Sequence, residues 1–125
     1  DVDHFKDYND KYGHAAGDLV LKHLARKIGS MAKKADILAR YGGEEIALLL
    51  FETDKGEALK EAEAIRTRIE KEPLILRKKK MEITVSIGVA GYPQDAVLEK
   101  ELIRIADERL YKAKALGRNK VCAGS

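Results

Sequence analysis

Two adjacent glycines, Gly42 and Gly43, separate two short apolar stretches, and no other feature restricts what this chain can fold into as strongly. Upstream lies Ile37 to Tyr41; downstream lies the unbroken apolar run Ile46-Ala47-Leu48-Leu49-Leu50-Phe51. That run is short enough to be a strand buried on both faces. Neither glycine has a Cβ, so both positions can take positive φ, and a two-residue spacing then suits a primed hairpin turn. The expectation is an antiparallel hairpin with a side-chain-free tip, followed at once by two carboxylates, Glu44 and Glu45.

Helical periodicity surrounds the hairpin. From Gly17 to about Lys33, Leu21, Leu24, Ala25, Ile28 and Met31 share one face; from Lys55 to about Lys71 the stripe is Ala58, Ala62, Ile65 and Ile69. From about Leu98 to Leu116, Leu102, Ile105, Ala106, Leu110 and Ala113 recur at the same spacing, and Gly117 is a natural C-terminal stop. Glu82 to Ala90 alternates as a strand does, with Ile83, Val85, Ile87 and Val89 on one side. Lys120-Val121-Cys122 adds a short final strand. The order of strand end, helix, hairpin, helix, strand, helix predicts an α/β sandwich (α+β), with a mixed, mainly antiparallel sheet covered by helices. A doubly wound nucleotide fold is not expected, because neither a Gly-x-Gly-x-x-Gly nor a phosphate-binding Gly-Lys-Ser/Thr loop is present.

Composition narrows the function classes. The 125 residues suffice for one core, and 45% apolar with 36% charged residues is ordinary for a globular domain. A net charge of +3 is too small to argue for nucleic acid or an acidic membrane surface as a partner. Cys122 is the only cysteine, which excludes an intrachain disulfide and a thiolate metal cluster. No apolar run approaches membrane-spanning length.

Several residues have side chains suited to phosphate chemistry. Asp1 and Asp3 flank Val2 in an extended segment, and Glu44 and Glu45 follow the glycine turn. Acidic groups at strand ends beside a hairpin supply the few hard oxygen ligands that Mg²⁺-dependent phosphoryl transfer needs, but four solvated surface carboxylates explain the spacing equally well. Lys114 in a last helical turn and Arg118 just beyond it complement a helix dipole, and they also suit a phosphate clamp of point charge plus fork. Asn9 and Asp18 bracket a loop into the first helix. Asp18 is expected there on capping grounds, and an amide with a carboxylate could also read a guanine edge. The histidines have no metal-ligand spacing. The run Arg77-Lys78-Lys79-Lys80 reads as a solvated turn before a strand.

Individually weak, these pieces occur in an order that is specific. Asp-Val-Asp-His-Phe-Lys-Asp-Tyr-Asn-Asp, Gly13-His14, Gly17-Asp18, Arg40-Tyr41-Gly42-Gly43-Glu44-Glu45, Thr84-Val85-Ser86-Ile87-Gly88-Val89, Ala106-Asp107, Leu110-Tyr111 and Gly117-Arg118-Asn119 resemble the GGDEF domain over nearly the whole chain. The resemblance implies the palm-like sheet of class III nucleotide cyclases and condensation of two GTP into cyclic di-GMP. It implies Mg²⁺ (or Mn²⁺) held by Asp1, the Val2 carbonyl and Glu44, with Glu45 as the second acidic position needed for activity. Asn9 and Asp18 match guanine readers. Lys6, Lys114 and Arg118 match phosphate contacts, helped by backbone N–H groups around Phe5. Each domain would bind one GTP, so the implied partner is a second copy of the same domain, brought together by an upstream sensory or dimerising region. Neither nucleic acid nor direct membrane contact is expected, and the implied location is the cytoplasm, even for a domain of a membrane-anchored longer protein.

The chain departs from the pattern in three places. Ile46 stands where the family usually has Phe, keeping an apolar strand residue. Lys33-Lys34-Ala35-Asp36 occupies the position of an Arg-x-x-Asp product-inhibition motif. Lysine lacks the bidentate fork of arginine, so weakened feedback inhibition is expected, and tight product binding abolished by Asp36→Ala would refute that. The family's upstream helix and most of its first strand precede what this sequence contains, so residues 1–125 read as one catalytic domain truncated at its N-terminus. The alternative from another class is a degenerate module that binds GTP or a partner without synthesis. Retention of both acidic signature positions favours the enzyme, and the Gly-Gly-Glu-Glu tip disfavours a cyclase making a monomeric product.

Overall fold

The computed structural model describes residues 1–31 and 37–124. The inhibitory-motif positions Lys33 and Asp36 lie outside the described residues. In chain order the elements are α1 (Phe5–Tyr12), α2 (His14–Met31), β1 (Ile37–Arg40), β2 (Ile46–Leu49), α3 (Lys55–Lys71), β3 (Leu74–Leu76), β4 (Lys79–Met81), β5 (Ile87–Gly88), α4 (Glu99–Ala115) and β6 (Val121–Cys122). β1 pairs with β2 and β3 with β4, both antiparallel, while β5 pairs with β6 in parallel. Val2 adds an antiparallel bridge to Val85. The expected mixed, mainly antiparallel arrangement is therefore present.

The predicted helices form where their apolar stripes fall. Val20, Leu21, Leu24 and Ile28 of α2 meet Ile65 and Ile69 of α3, Leu74 and Leu76 of β3, and Val2, Phe5 and Val85, in one buried cluster. α3 starts sharply because Asp54 caps it, its carboxylate accepting from the Glu57 N–H at 2.8 Å. α4 packs against β5 and β6, and Gly88 allows the approach. A Cβ there would lie 2.0 Å from the Ala106 carbonyl oxygen, so only glycine fits. No helix among the described residues is long and apolar enough to cross a membrane.

Four local expectations need correction. The hairpin tip is not a two-residue turn: the Tyr41 N–H donates to the Glu45 carbonyl at 2.8 Å, closing a loop over Gly42, Gly43 and Glu44. Of the two glycines only Gly42 has positive φ, at 110°. Second, the run 46–51 is not buried on both faces, since Leu49 and Phe51 remain 49% and 44% exposed. Third, the alternation from Glu82 to Ala90 does not make one strand. Val85 bridges Val2, and only Ile87–Gly88 joins a ladder, because its neighbours pair in succession with the chain start and with β6. Fourth, no loop leads into the first long helix. Gly13, at φ 89°, is the sole residue between α1 and α2, so Asn9 lies within α1 and Asp18 within α2. Asp18 is thus not a cap. Residues 74–81 form a hairpin turning at Arg77 and Lys78, both at positive φ, so Lys79 and Lys80 lie in a strand.

Candidate active site

An open cleft of about 770 Å³ lies between α1, the start of α2 and the glycine tip. Phe5, Lys6, Asn9, Asp18, Gly42, Gly43, Glu44 and Glu45 line it, joined by Asp10, His14 and Arg40. Eight residues singled out in the sequence thus meet in one place. The helix pair achieves this: Gly13 reverses the chain so that α1 and α2 pack closely, with Gly17 at the contact. A Cβ on Gly17 would lie 1.9 Å from the Asn9 Oδ1 and 3.0 Å from the Phe5 ring, so its absence lets Asn9 settle. That Asn9 oxygen is buried without a hydrogen-bond partner among the described residues. An uncompensated amide oxygen is costly, and a ligand is one way to satisfy it.

The entrance to α1 provides donors. Its N-cap, His4, makes no side-chain cap bond and sits at φ 58°, leaving the first-turn N–H groups around Phe5 and Lys6 uncapped. Helix N-termini of this kind favour phosphate. The Lys6 ammonium stands beside them on the cleft wall.

Asp1 does not itself line the cleft. Its side chain is 1% exposed; Oδ2 is 2.9 Å from the Lys114 Nζ, and Oδ1 is buried with no partner among the described residues. Glu45 and Glu44 are within electrostatic reach of the Asp1 nitrogen. Val2 is buried, and its bridge is of the kind in which neighbours carry the bonds, Asp3 N–H to the Thr84 carbonyl and Ser86 N–H to the Asp1 carbonyl, each at 3.0 Å. Val2's own carbonyl therefore points away from Val85. An unpartnered carboxylate oxygen, a carbonyl turned away from Val85 and the Glu44 carboxylate are hard oxygen donors that fit Mg²⁺ or Mn²⁺. Among the described residues no three acidic, histidine or cysteine side chains form a preformed cage. That also fits Mg²⁺, which is usually held by one or two carboxylates together with substrate phosphates.

Asp3 behaves differently from Asp1. It is 8% exposed and accepts from the Ser86 Oγ at 2.6 Å, the Thr84 Oγ1 at 2.7 Å and the Asn119 N–H at 2.9 Å. Those bonds leave it no role as an open ligand. Arg118 does not reach the cleft lining; it is exposed on the turn beyond α4. Arg40 was not singled out as a site residue. Its guanidinium donates to the Gly43 carbonyl at 2.7 Å and approaches the Asp18 Oδ1 at 3.4 Å, tying the glycine tip to α2. Its place three residues before Gly43 was the only sequence signal for that brace.

A mixed α/β fold with acidic groups at strand ends, a glycine tip and a cationic helix entrance defines a nucleotide-handling domain. The comparisons make it specific. The family model described as "Diguanylate cyclase, GGDEF domain" matches residues 1–120. Diguanylate cyclase A of Treponema denticola is 45% identical over 97% of this chain, which spans only 33% of that relative's length. Among solved structures, the GGDEF domain of YfiN (TpbB) from Pseudomonas aeruginosa superposes with a TM-score of 0.95 at 35% identity, covering all of this chain and 78% of that one. The active GGEEF domain of a diguanylate cyclase from Vibrio cholerae gives a TM-score of 0.87 at 35% identity, covering 98% and 78%. The chain belongs to the GGDEF family of diguanylate cyclase domains, and its fold is the palm-like cyclase fold.

Proposed function

We propose that this domain condenses two molecules of GTP into cyclic di-GMP, releasing two pyrophosphates, at a reaction centre that forms between two copies. The observation that carries the reading is the joining of three subsites around one cleft. Two of them line the cleft, the Asn9 and Asp18 pair and the uncapped entrance of α1 with Lys6; the third combines Glu44 and Glu45 of the lining with the unpartnered oxygen of the buried Asp1 side chain, whose nitrogen they reach electrostatically.

On this reading Asp18 accepts from the guanine N1–H and N2–H₂, and Asn9 contributes a further contact to the same base. The Phe5 and Lys6 backbone N–H groups and the Lys6 ammonium hold phosphate oxygens. Lys114, in the last turn of α4, exchanges its pairing with Asp1 for a phosphate, and Arg118 adds a fork from beyond the helix. Asp1, the Val2 carbonyl and Glu44 would hold Mg²⁺ or Mn²⁺, which supplies charge neutralisation at the phosphates when bound. Glu45 is the second acidic position, required for turnover. The absence of side chains at Gly42 and Gly43 leaves room for the nucleotide backbone-close. Each GTP 3′-hydroxyl then gives up its proton to solvent and its oxygen bonds to the other's α-phosphorus as the bond to pyrophosphate breaks, so the protein's contribution is in-line positioning and not covalent catalysis. One cleft holds one GTP, so a lone copy lacks the second reactant. Pairing through an upstream region would regulate the reaction.

The test is to incubate the full protein with GTP and Mg²⁺ and identify the product chromatographically. Cyclic di-GMP is expected. Bound but unconverted GTP from a paired sample would instead support a regulatory module, and cyclic GMP a monomeric cyclase.

A further inference from the structure

The turn between α4 and β6 holds three successive residues in the left-handed region: Gly117 at φ 115°, Arg118 at 63° and Asn119 at 48°. Glycine takes this conformation freely and asparagine tolerates it, but for arginine it is strained. Something must hold the turn. Arg118's own side chain does not, for among the described residues it makes no hydrogen bond or ion pair. The backbone therefore fixes only its Cα–Cβ direction.

The backbone holds the near side, the Gly117 N–H donating to the Lys114 carbonyl at 3.2 Å and the Arg118 N–H to the Ala113 carbonyl at 3.0 Å. Asn119 holds the far side, because its N–H and both polar ends of its side chain are engaged. Its N–H donates to the Asp3 Oδ2 at 2.9 Å. Its Oδ1 accepts from the Arg66 Nη1 at 2.9 Å, and its Nδ2 donates to the Glu70 Oε2. Arg66 is itself fixed on α3, 15% exposed, with its Nε 3.0 and 3.1 Å from the two Glu63 oxygens. Asp3 is anchored by Thr84 and Ser86 and lies two residues from Asp1. One asparagine thus links α3, the segment carrying Asp1 and Asp3, and the residue that precedes it, Arg118.

We propose that Asn119, held by Arg66 and Glu70, is a positioning residue for the nucleotide: it locks the far side of the left-handed turn that aims Arg118 at the GTP phosphates and ties that turn to the segment carrying Asp1. This rests on the cyclase reading above and extends it to Asn119, 73 positions beyond Ile46 of the signature. The discriminating change is Asn119→Gly, which keeps left-handed freedom and removes only the side-chain links.

In the full protein, binding of the α,β-methylene analogue of GTP with Mg²⁺ is measured by calorimetry for wild type, Asn119→Gly, Arg118→Ala and the double variant. Asn119→Gly is expected to weaken binding roughly tenfold, the scale of one or two hydrogen bonds. In the Arg118→Ala background the same change should have no further effect, because its action runs through that arginine. A merely structural role would persist undiminished in the double variant, and that result overturns the inference. So does wild-type affinity in Asn119→Gly when Arg118→Ala is impaired. If wild type binds no analogue at all, the cyclase reading itself fails and takes the inference with it.

Discussion

Asn9 and Glu44 illustrate two ways in which a single residue serves this site. Asn9 depends on space made elsewhere: Gly17→Ala places a Cβ 1.9 Å from its Oδ1 and pushes a mobile side-chain end, not backbone. We expect KM for GTP to rise about tenfold, the scale of a lost hydrogen bond, with little change in the unfolding temperature. Steady-state kinetics beside a thermal melt checks this; unchanged KM would remove Asn9 from the guanine pocket. Glu44 depends on its charge. Glu44→Gln keeps shape and should lower kcat by more than the roughly 100-fold typical of groups that only support a metal ligand. Titrating Mg²⁺ against activity is the check, and a variant retaining normal turnover and metal dependence would exclude Glu44 as a ligand. The sequence made both residues legible because polar types at fixed offsets survive without knowledge of the fold. It did not reveal that Asp1 and Asp3 differ. Both are acids beside Val2, and only the neighbours Thr84, Ser86 and Asn119, more than 80 positions away, commit Asp3 to structure.

At the level of elements, long apolar stripes were readable and short, locally paired segments were not. α3 was legible at Lys55 to about Lys71 from the Ala58, Ala62, Ile65, Ile69 stripe, and the structure adds the Asp54 cap that fixes its start. α1 was missed: its eight residues are mostly polar and only Phe5 is buried, so periodicity has little to act on. The alternation at 82–90 was real but said nothing about partners, which change along it from Val2 to β6. Two predictions concern how elements are joined. Gly88→Ala puts a methyl against the backbone of α4, which cannot yield as a side chain end would, and should destabilise the domain by about 1–3 kcal/mol or more in denaturant unfolding. A neutral effect would mean that β5 and α4 are not in contact as described.

Asp95 is the other joint. It receives a two-pronged bond from Arg109, at 2.9 Å on each oxygen, the Gly91 N–H at 2.7 Å and the Lys55 ammonium at 3.0 Å, linking α3, α4 and the segment between. The Arg109 hydrogen bonds foremost, with the Gly91 and Lys55 bonds, hold its carboxyl well below the usual carboxylate range. A depressed folded pKa stabilises the fold above the unfolded value, near 4, and that contribution declines as pH falls below it. Asp95→Asn should therefore be less stable than wild type at pH 7, with the gap narrowing below about pH 4. Urea midpoints across that range measure it; a gap independent of pH would show that the ionised carboxylate contributes nothing.

On the scale of the whole molecule, the sequence conveyed a family and a list of residues, while the structure shows where one copy stops. The cleft gathers the residues proposed to hold one base and its phosphates together with Glu44 and Glu45, and Arg118 stands outside its lining on an exposed turn. No feature of the linear order could have shown that the site is open on one side, since openness is a property of the packed surface. The account's central claim is that this open side is closed by a second copy carrying the second GTP. It is tested most directly by following cyclic di-GMP formation per chain as the full protein is diluted, with sedimentation velocity reporting pairing in the same samples. The predicted result is that activity per chain falls in proportion to the paired fraction. Constant activity per chain through the range in which copies separate would contradict it.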